Sequence, residues 1–151
     1  MSCEIRVLGA GDEALLSDAV PGVFDHAVVP ALAREFLADP RHHIAVAVVE
    51  GRVVGFASAV HYVHPDKPAE LWINEVGLAP AFRRRGLGRQ LLQTLFRVGT
   101  ALGCAEAWVL TDRANLGAQA LYASVGGTEG VGGSGGDNPI IGYSFPLGAG
   151  R

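Results

Sequence analysis

The stretch LWINEVGLAPAFRRRGLGRQLL, residues 71–92, concentrates the residue types of this 151-residue chain that could do chemistry. Arg83, Arg84 and Arg85 precede Gly86-Leu87-Gly88 and Arg89, and apolar residues recur at Leu87, Leu91, Leu95, Val98 and Leu102, three or four apart. That spacing predicts a helix opening at the glycines. A helix start offers N–H groups without intrahelical partners and a partial positive charge. Glycine lets a ligand approach the backbone, and guanidinium groups add charge and forked donors. Together these make a cradle for an anion, a diphosphate above all. The competing reading is a surface turn with solvated arginines. Two other phosphate loops fit less well. A Walker loop needs Lys-Ser or Lys-Thr where Arg89-Gln90 stand. A dinucleotide fingerprint wants a third Gly or Ala at Leu91, although Glu106 stands at a tolerable distance for a ribose acid.

The cradle needs a strand in front of it. Leu71, Ile73, Val76 and Leu78 supply one, with a slip in alternation between Ile73 and Val76 of the kind a β-bulge leaves, and Pro80 ends it. Ile5–Val7 is predicted as a first strand, followed by a short helix with Gly11 or Asp12 near its cap. Pro21-Gly22 breaks that helix. A second helix starts at Ala27 or at Pro30, which suits a first turn, and runs to Ala38, ended by Asp39-Pro40. Ile44–Val49 and Val53–Tyr62 flank the tight turn Glu50-Gly51-Arg52 as a hairpin. His64-Pro65-Asp66-Lys67-Pro68 is a loop. Past the cradle helix, Ala107–Leu110 is a strand. Asn115–Val125 is a helix with Ala118, Leu121, Tyr122 and Val125 on one face. Ile140–Phe145 is the last strand. The glycine-rich residues 126–137 are expected to be mobile, either in substrate access or as an inert linker. The expected fold is mixed α/β, a central mixed twisted sheet with helices on both faces, in a single domain spanning 1–151.

Composition narrows the function. Hydrophobic residues are 49% of the chain, which excludes overall disorder. Charged residues are 18%, below the usual ~25%, and a thinly charged surface favours a face buried in a homodimer. A net charge of −3 argues against nucleic acid as a partner and suits a cationic substrate. Cys3 and Cys104 define neither a disulfide framework nor a metal spacing. His42-His43 and His61-x-x-His64 lack a closed ligand set, so no metal is expected. The acidic start and the absence of a long apolar run point to a cytoplasmic protein with no membrane contact.

With strand, Pro80, Arg83-x-x-Gly86-x-Gly88 and helix in that order, the chain resembles the GNAT acyltransferases at their acetyl-CoA signature, and the order of elements resembles theirs over most of its length. The resemblance implies acetyl transfer from acetyl-CoA to an amine. It implies a cofactor site made by Arg83, Arg84, Arg85, Gly86, Leu87, Gly88 and Arg89 on the diphosphate. Backbone groups of Val76, Gly77 and Leu78 would lie on the pantetheine arm, paired with it like an added strand. A backbone N–H near Leu78 would meet the carbonyl oxygen. Asn115, Ala118, Leu121 and Tyr122 form N-x-x-A-x-x-L-Y, similar to the family's second element. Asn115 would bond the arm and cap its helix. Tyr122 would give a proton or hydrogen bond to the leaving sulfur, the other reading being a core aromatic. Glu75 is the candidate general base, acting through water, or binds the substrate cation while one of the histidines is the base, or else is a strand carboxylate paired with an arginine. Asp112 is a second carboxylate for substrate charge, with Glu70 and Asp137 weaker ones.

From Phe36-Leu37 to Tyr122 the chain is also similar to the type I aminoglycoside 3-N-acetyltransferases. The shared features include Ile44-Ala45-Val46-Ala47, Val53-Val54-Gly55, the proline-rich hairpin loop, Glu70, Glu75, Arg83-Arg84-Arg85-Gly86, Ala101-Leu102-Gly103, Asp112 and Ala120-Leu121-Tyr122. Asn115 and Gly117 depart from that group. This resemblance implies a small polycationic amine as acceptor. An acetyltransferase for another small amine or a peptide N-terminus is the alternative within the class. A non-catalytic acyl-CoA-binding module and a nucleotide-binding domain are the alternatives outside it.

Overall fold

A computed structural model describes residues 2–130 and 138–148. Its elements in chain order are β1 (Glu4–Val7), α1 (Glu13–Ser17), α2 (Pro30–Ala38), β2 (His42–Val49), β3 (Arg52–Tyr62) and β4 (Glu70–Leu78). A single 3-10 turn (Pro80–Phe82) leads to α3 (Leu87–Ala101), β5 (Glu106–Asp112), α4 (Leu116–Ser124), β6 (Thr128–Glu129) and β7 (Ile140–Pro146). The strand order is β1-β2-β3-β4-β5-β7-β6, a seven-stranded sheet. It is mixed: β1 and β2 are antiparallel, β4 and β5 parallel, β5 and β7 antiparallel. The chain forms two compact units interleaved in sequence, Met1–Ala59 with Glu75–Leu95, and Val60–Asn74 with Phe96–Arg151.

In the first unit, β1 lies on β2 from Glu4↔Val48 to Val7↔Ala45. Ile44 to Val49 are all buried, as an unbroken apolar run requires when both strand faces are covered. Glu50 and Gly51 carry φ of 50° and 78°, the paired left-handed conformations of a tight two-residue hairpin. Pro30 opens α2 at a position whose N–H has no helical partner anyway. The segment between α1 and α2 is drawn onto the strands. Val20 N–H donates to the Val53 carbonyl at 2.9 Å, and Phe24 stacks on Phe56 at 4.3 Å between centroids. The core gathers Leu8, Leu16, Val23, Leu37, Val46 and Phe56. Asp12 stands at the start of α1 but does not cap it, because its carboxylate turns back to accept from Gly9 N–H at 2.8 Å.

The second unit is built on β5. Its parallel ladder with β4 runs from Glu70↔Glu106 to Ile73↔Val109, and its antiparallel ladder with β7 from Glu106↔Pro146 to Asp112↔Ile140. Leu71, Ile73, Ala107, Val109, Ile141, Tyr143 and Phe145 are buried on one face. The C-terminal part of α3 packs there through Phe96, 4.8 Å from the Phe145 ring, and through Gly99. A Cβ on Gly99 would stand 3.0 Å from both Leu71 Cδ2 and Leu147 Cδ1. Helix α4 packs on the same face through Tyr122, whose ring lies 5.7 Å from that of Tyr143. α3 then ends in a Schellman-type cap: Gly103, at φ 86°, donates to Thr100 O at 3.1 Å, and Cys104 N–H to Gly99 O at 2.9 Å.

Two expectations need correction. Leu102 is not on the buried stripe of α3; it follows the last helical residue and is 42% exposed, and Gly99 takes its place against the core. The glycine-rich stretch is not loop throughout. Gly126, at φ 90°, closes α4, and Thr128 and Glu129 form β6 opposite Ser144 and Tyr143. Gly127 is glycine because a Cβ would stand 2.7 Å from Tyr122 O and 2.8 Å from Phe145 Cε1. Residues 131–137, with the candidate Asp137, lie outside those described.

Candidate active site

The first unit carries the predicted cradle. Arg84 and Gly86 have φ of 61° and 79°, so the chain reaches α3 through two left-handed residues, one of them non-glycine. A Cβ on Gly86 would meet nothing within 4 Å; glycine is there for its conformation, not for space. The first ladder bond of α3 runs from Gln90 N–H to the Gly86 carbonyl at 3.2 Å. The N–H groups of Leu87, Gly88 and Arg89 precede that bond, as at any helix start; Leu87 and Gly88 are themselves buried and Arg89 is exposed. Arg83, Arg84, Arg85 and Arg89 are all exposed around it, so the donors fit a diphosphate. The arginines are not equivalent, however. Arg83 Nε donates to the Leu78 carbonyl at 3.2 Å and straps the turn to β4, and Arg85 lies over the Phe82 ring at 5.3 Å. Arg84 and Arg89 have no such partner among the described residues.

Strand β4 is continuous through the predicted slip, and the slip is visible as two consecutive exposed residues, Asn74 and Glu75. Glu75 is therefore on the surface of the strand, followed by half-buried Val76, Gly77 and Leu78. The missing side chain of Gly77 has a packing reason: a Cβ there would stand 2.4 Å from Val23 O and 2.7 Å from Phe56 Cε1. The space belongs to the α1–α2 segment. Leu78 similarly fills the space that a Cβ on Gly55 would need, its Cδ2 only 2.3 Å from that position.

The second unit carries the other predicted residues. Asn115 caps α4, its Oδ1 accepting from Ala118 N–H at 3.0 Å, which leaves its NH2 group for another acceptor. Half-buried Ala118 and Leu121 share a side of α4 with Tyr122, which is 5% exposed. Burial pushes the Tyr122 phenol above its usual range, so the hydroxyl is a proton donor at neutral pH. Asp112 is exposed at the end of β5. Glu70 is not a free carboxylate: its Oε2 lies 2.6 Å from His64 Nε2, with both side chains mostly buried. The chemistry of Glu70 is thus a tie for the loop before β4, a partner that the spacing of His64 and Glu70 on an irregular loop did not reveal. Arg113, next to Asp112, was also missed. Its Nε donates to Asn138 O at 2.7 Å and its NH1 lies 3.6 Å from Glu129 Oε1, which holds the start of β7 and strand β6 to β5. Trp72 and Trp108, register partners on β4 and β5, stack at 4.9 Å and 10°.

Comparison with known proteins identifies the family. The acetyltransferase (GNAT) family model matches residues 13–126. The N-alpha-acetyltransferase RimI of Mycobacterium tuberculosis is 36% identical over 97 residues, 64% of this chain and 59% of that protein. An aminoglycoside N(6')-acetyltransferase type 1 of Salmonella typhimurium is 31% identical over 93 residues, 58% of this chain and 64% of that protein. The chain thus spans about three fifths of the length of these relatives. Among solved structures, the aminoglycoside N-acetyltransferase AAC(6')-Iy in complex with CoA superposes with a TM-score of 0.65 at 27% identity, over 83% of this chain and 87% of that one.

Proposed function

The chain belongs to the GNAT acetyltransferase family, and from that premise we propose that it moves an acetyl group from acetyl-CoA to a primary amine of a small cationic substrate. The observation that carries the reading is the start of α3, with Gly86 at φ 79° and exposed Arg84 and Arg89 beside amides not yet in the helical ladder. Acetyl-CoA, when bound, supplies the activated acetyl group. The amides of Leu87, Gly88 and Arg89, with the guanidinium groups of Arg84 and Arg89, hold its diphosphate. Arg83 and Arg85 shape the turn that presents them. Backbone groups of Val76, Gly77 and Leu78 orient the pantetheine arm, and Asn115 adds its NH2 group. Glu75 takes the proton that an ammonium must lose before it can attack. Tyr122 Oη gives a proton to the departing sulfur, a role for which burial keeps it protonated. Asp112 meets a second positive charge of the substrate. The whole span 1–151 acts as one catalytic domain, cytoplasmic and paired as a homodimer, without nucleic acid or membrane.

The finer reading is an aminoglycoside acceptor. The 3-N position suggested by the type I resemblance competes with the 6' position named for the aminoglycoside enzymes that the chain resembles. A peptide N-terminus is the second reading, favoured by the likeness to RimI. Thiol release from acetyl-CoA, measured over a panel of aminoglycosides and of short peptides with free N-termini, decides between them. Release with gentamicin-class amines and none with the peptides supports the first. Release with peptides alone overturns it.

A further inference from the structure

Arg113, the residue after β5, is bonded to each of the elements that surround Tyr122 in the second unit. Its backbone N–H donates to the Pro139 carbonyl at 2.8 Å and its Nε to the Asn138 carbonyl at 2.7 Å, so the approach to β7 is fixed twice to the end of β5. Its NH1 stands 3.6 Å from Glu129 Oε1 on β6. Its carbonyl accepts from Gln119 Nε2 in α4. The same amide reaches the Asn115 carbonyl at 3.4 Å, at the cap of that helix. The far end of α4 is tied to the same guanidinium. Gly127 N–H donates to the Tyr122 carbonyl at 2.9 Å, and two residues on, Glu129 meets Arg113. The helix is thus held at its start through the Arg113 carbonyl and at its end through β6. Within this bracket lies Tyr122, its ring 5.7 Å from that of Tyr143, the register partner of Glu129.

We propose that Arg113 is a positioning residue of the acetyl transfer: by tying β5, β6 and the approach to β7 to both ends of α4, it sets the place of the Tyr122 hydroxyl. The inference rests on the reading of Tyr122 as the acid and extends it to a residue that acts only through that hydroxyl. A forked guanidinium suits the task. It meets a carbonyl and a carboxylate in two fixed directions at once, whereas a lysine ammonium is a single point on a flexible stem. Proton transfer requires donor and acceptor within hydrogen-bond reach, so a shift of about 1 Å in α4 is enough to lose rate by about 10²-fold. Asp112, the neighbour in sequence, is exposed at the end of β5 and is assigned to substrate charge, so loss of the Arg113 side chain should appear in kcat rather than in the KM of the amine.

A double-variant cycle on the full chain tests this, with thiol release from acetyl-CoA followed on the most active amine of the aminoglycoside and peptide panel. Arg113→Gln removes the guanidinium and should lower kcat about tenfold or more, with the amine KM within about twofold of wild type. Added to Tyr122→Phe, it should lower kcat no further, because a residue that acts only through the hydroxyl then has nothing left to position. Gln119→Ala cuts the tie to the Arg113 carbonyl, leaves the charges in place and should show the same pattern. It carries the test should Arg113→Gln fail to fold. A kcat equal to wild type in the single variants, or losses that add in full to that of Tyr122→Phe, overturns the proposal. A wild type inactive with every amine overturns the acetyltransferase reading and this inference with it. An active wild type whose variants show additive losses overturns this inference alone.

Discussion

Gly77→Ala should damage the protein in a way that can be worked from distances. The new methyl would stand 2.4 Å from Val23 O and 2.7 Å from Phe56 Cε1. Restoring an ordinary carbon–oxygen contact of about 3.3 Å needs a movement of roughly 0.9 Å. The Val23 carbonyl is backbone and cannot rotate away. Phe56 is 3% exposed and stacked on Phe24 at 4.3 Å, so its ring has nowhere to go. Either the α1–α2 segment lifts or β4 shifts. Overpacking of this kind costs about 1–3 kcal/mol. At about 2–4 °C per kcal/mol for a domain near this size, Tm should fall by roughly 2–12 °C in calorimetry. Because Val76–Leu78 are proposed to lie along the pantetheine arm, acetyl-CoA affinity should fall with it. Gly51→Ala is the control: that position has open space and a φ of 78°, so it carries conformational strain of about 1 kcal/mol without a clash near β4 and should leave acetyl-CoA affinity unchanged. A Gly77→Ala protein with the Tm and cofactor affinity of wild type would refute the reasoning about this contact.

Other variants test the remaining roles. Tyr122→Phe should lower kcat by about 10²-fold or more with acetyl-CoA affinity preserved. Because burial raises the phenol above its ordinary value of 10.0, wild-type kcat should show no loss from this group below pH 10 and should fall only as pH rises through the raised value; a pH–rate profile checks both. Glu75→Gln should lower kcat/KM for the amine by about 10²-fold or more with acetyl-CoA affinity preserved, and an unchanged kcat/KM would take the base role from Glu75. Asn115→Ala should cost about 1 kcal/mol of stability by unfolding assay, since it removes the α4 cap. Hydrogen bonds from Arg41 hold the Asp39 carboxyl at about 2. Stability from that pair is present above the ordinary 3.8 and lost as pH falls through about 2, and in Arg41→Gln the titration followed by NMR should move back up toward 3.8.

What was legible in the chain was what depends on neighbours in sequence. Pro30 marks the start of α2 through its own missing N–H. Gly86 marks the start of α3, and Ala101-Leu102-Gly103 its end, through a φ that other residues avoid. The slipped alternation at Asn74–Glu75 appears as two exposed residues in a row. What depends on distant partners was not legible. The reason for Gly77 is the Val23 carbonyl, on a segment with no periodic pattern. Glu70 reads as a free carboxylate until the loop folds His64 onto it. The Trp72–Trp108 stack exists because a parallel register sets the two residues side by side, and parallel register leaves no mark in either strand. Strand β6 is two residues among glycines and is made by its pairing with β7 rather than by propensity.

The proposed function rests on a diphosphate held at the start of α3. Isothermal titration with CoA and with pantetheine, which lacks that group, addresses it most directly in wild type and in Arg84→Gln/Arg89→Gln. Saturable CoA binding, at least about tenfold weaker for pantetheine and for the double variant with CoA, is the predicted result. No saturable binding of CoA, or equal affinity for CoA and pantetheine, would contradict it.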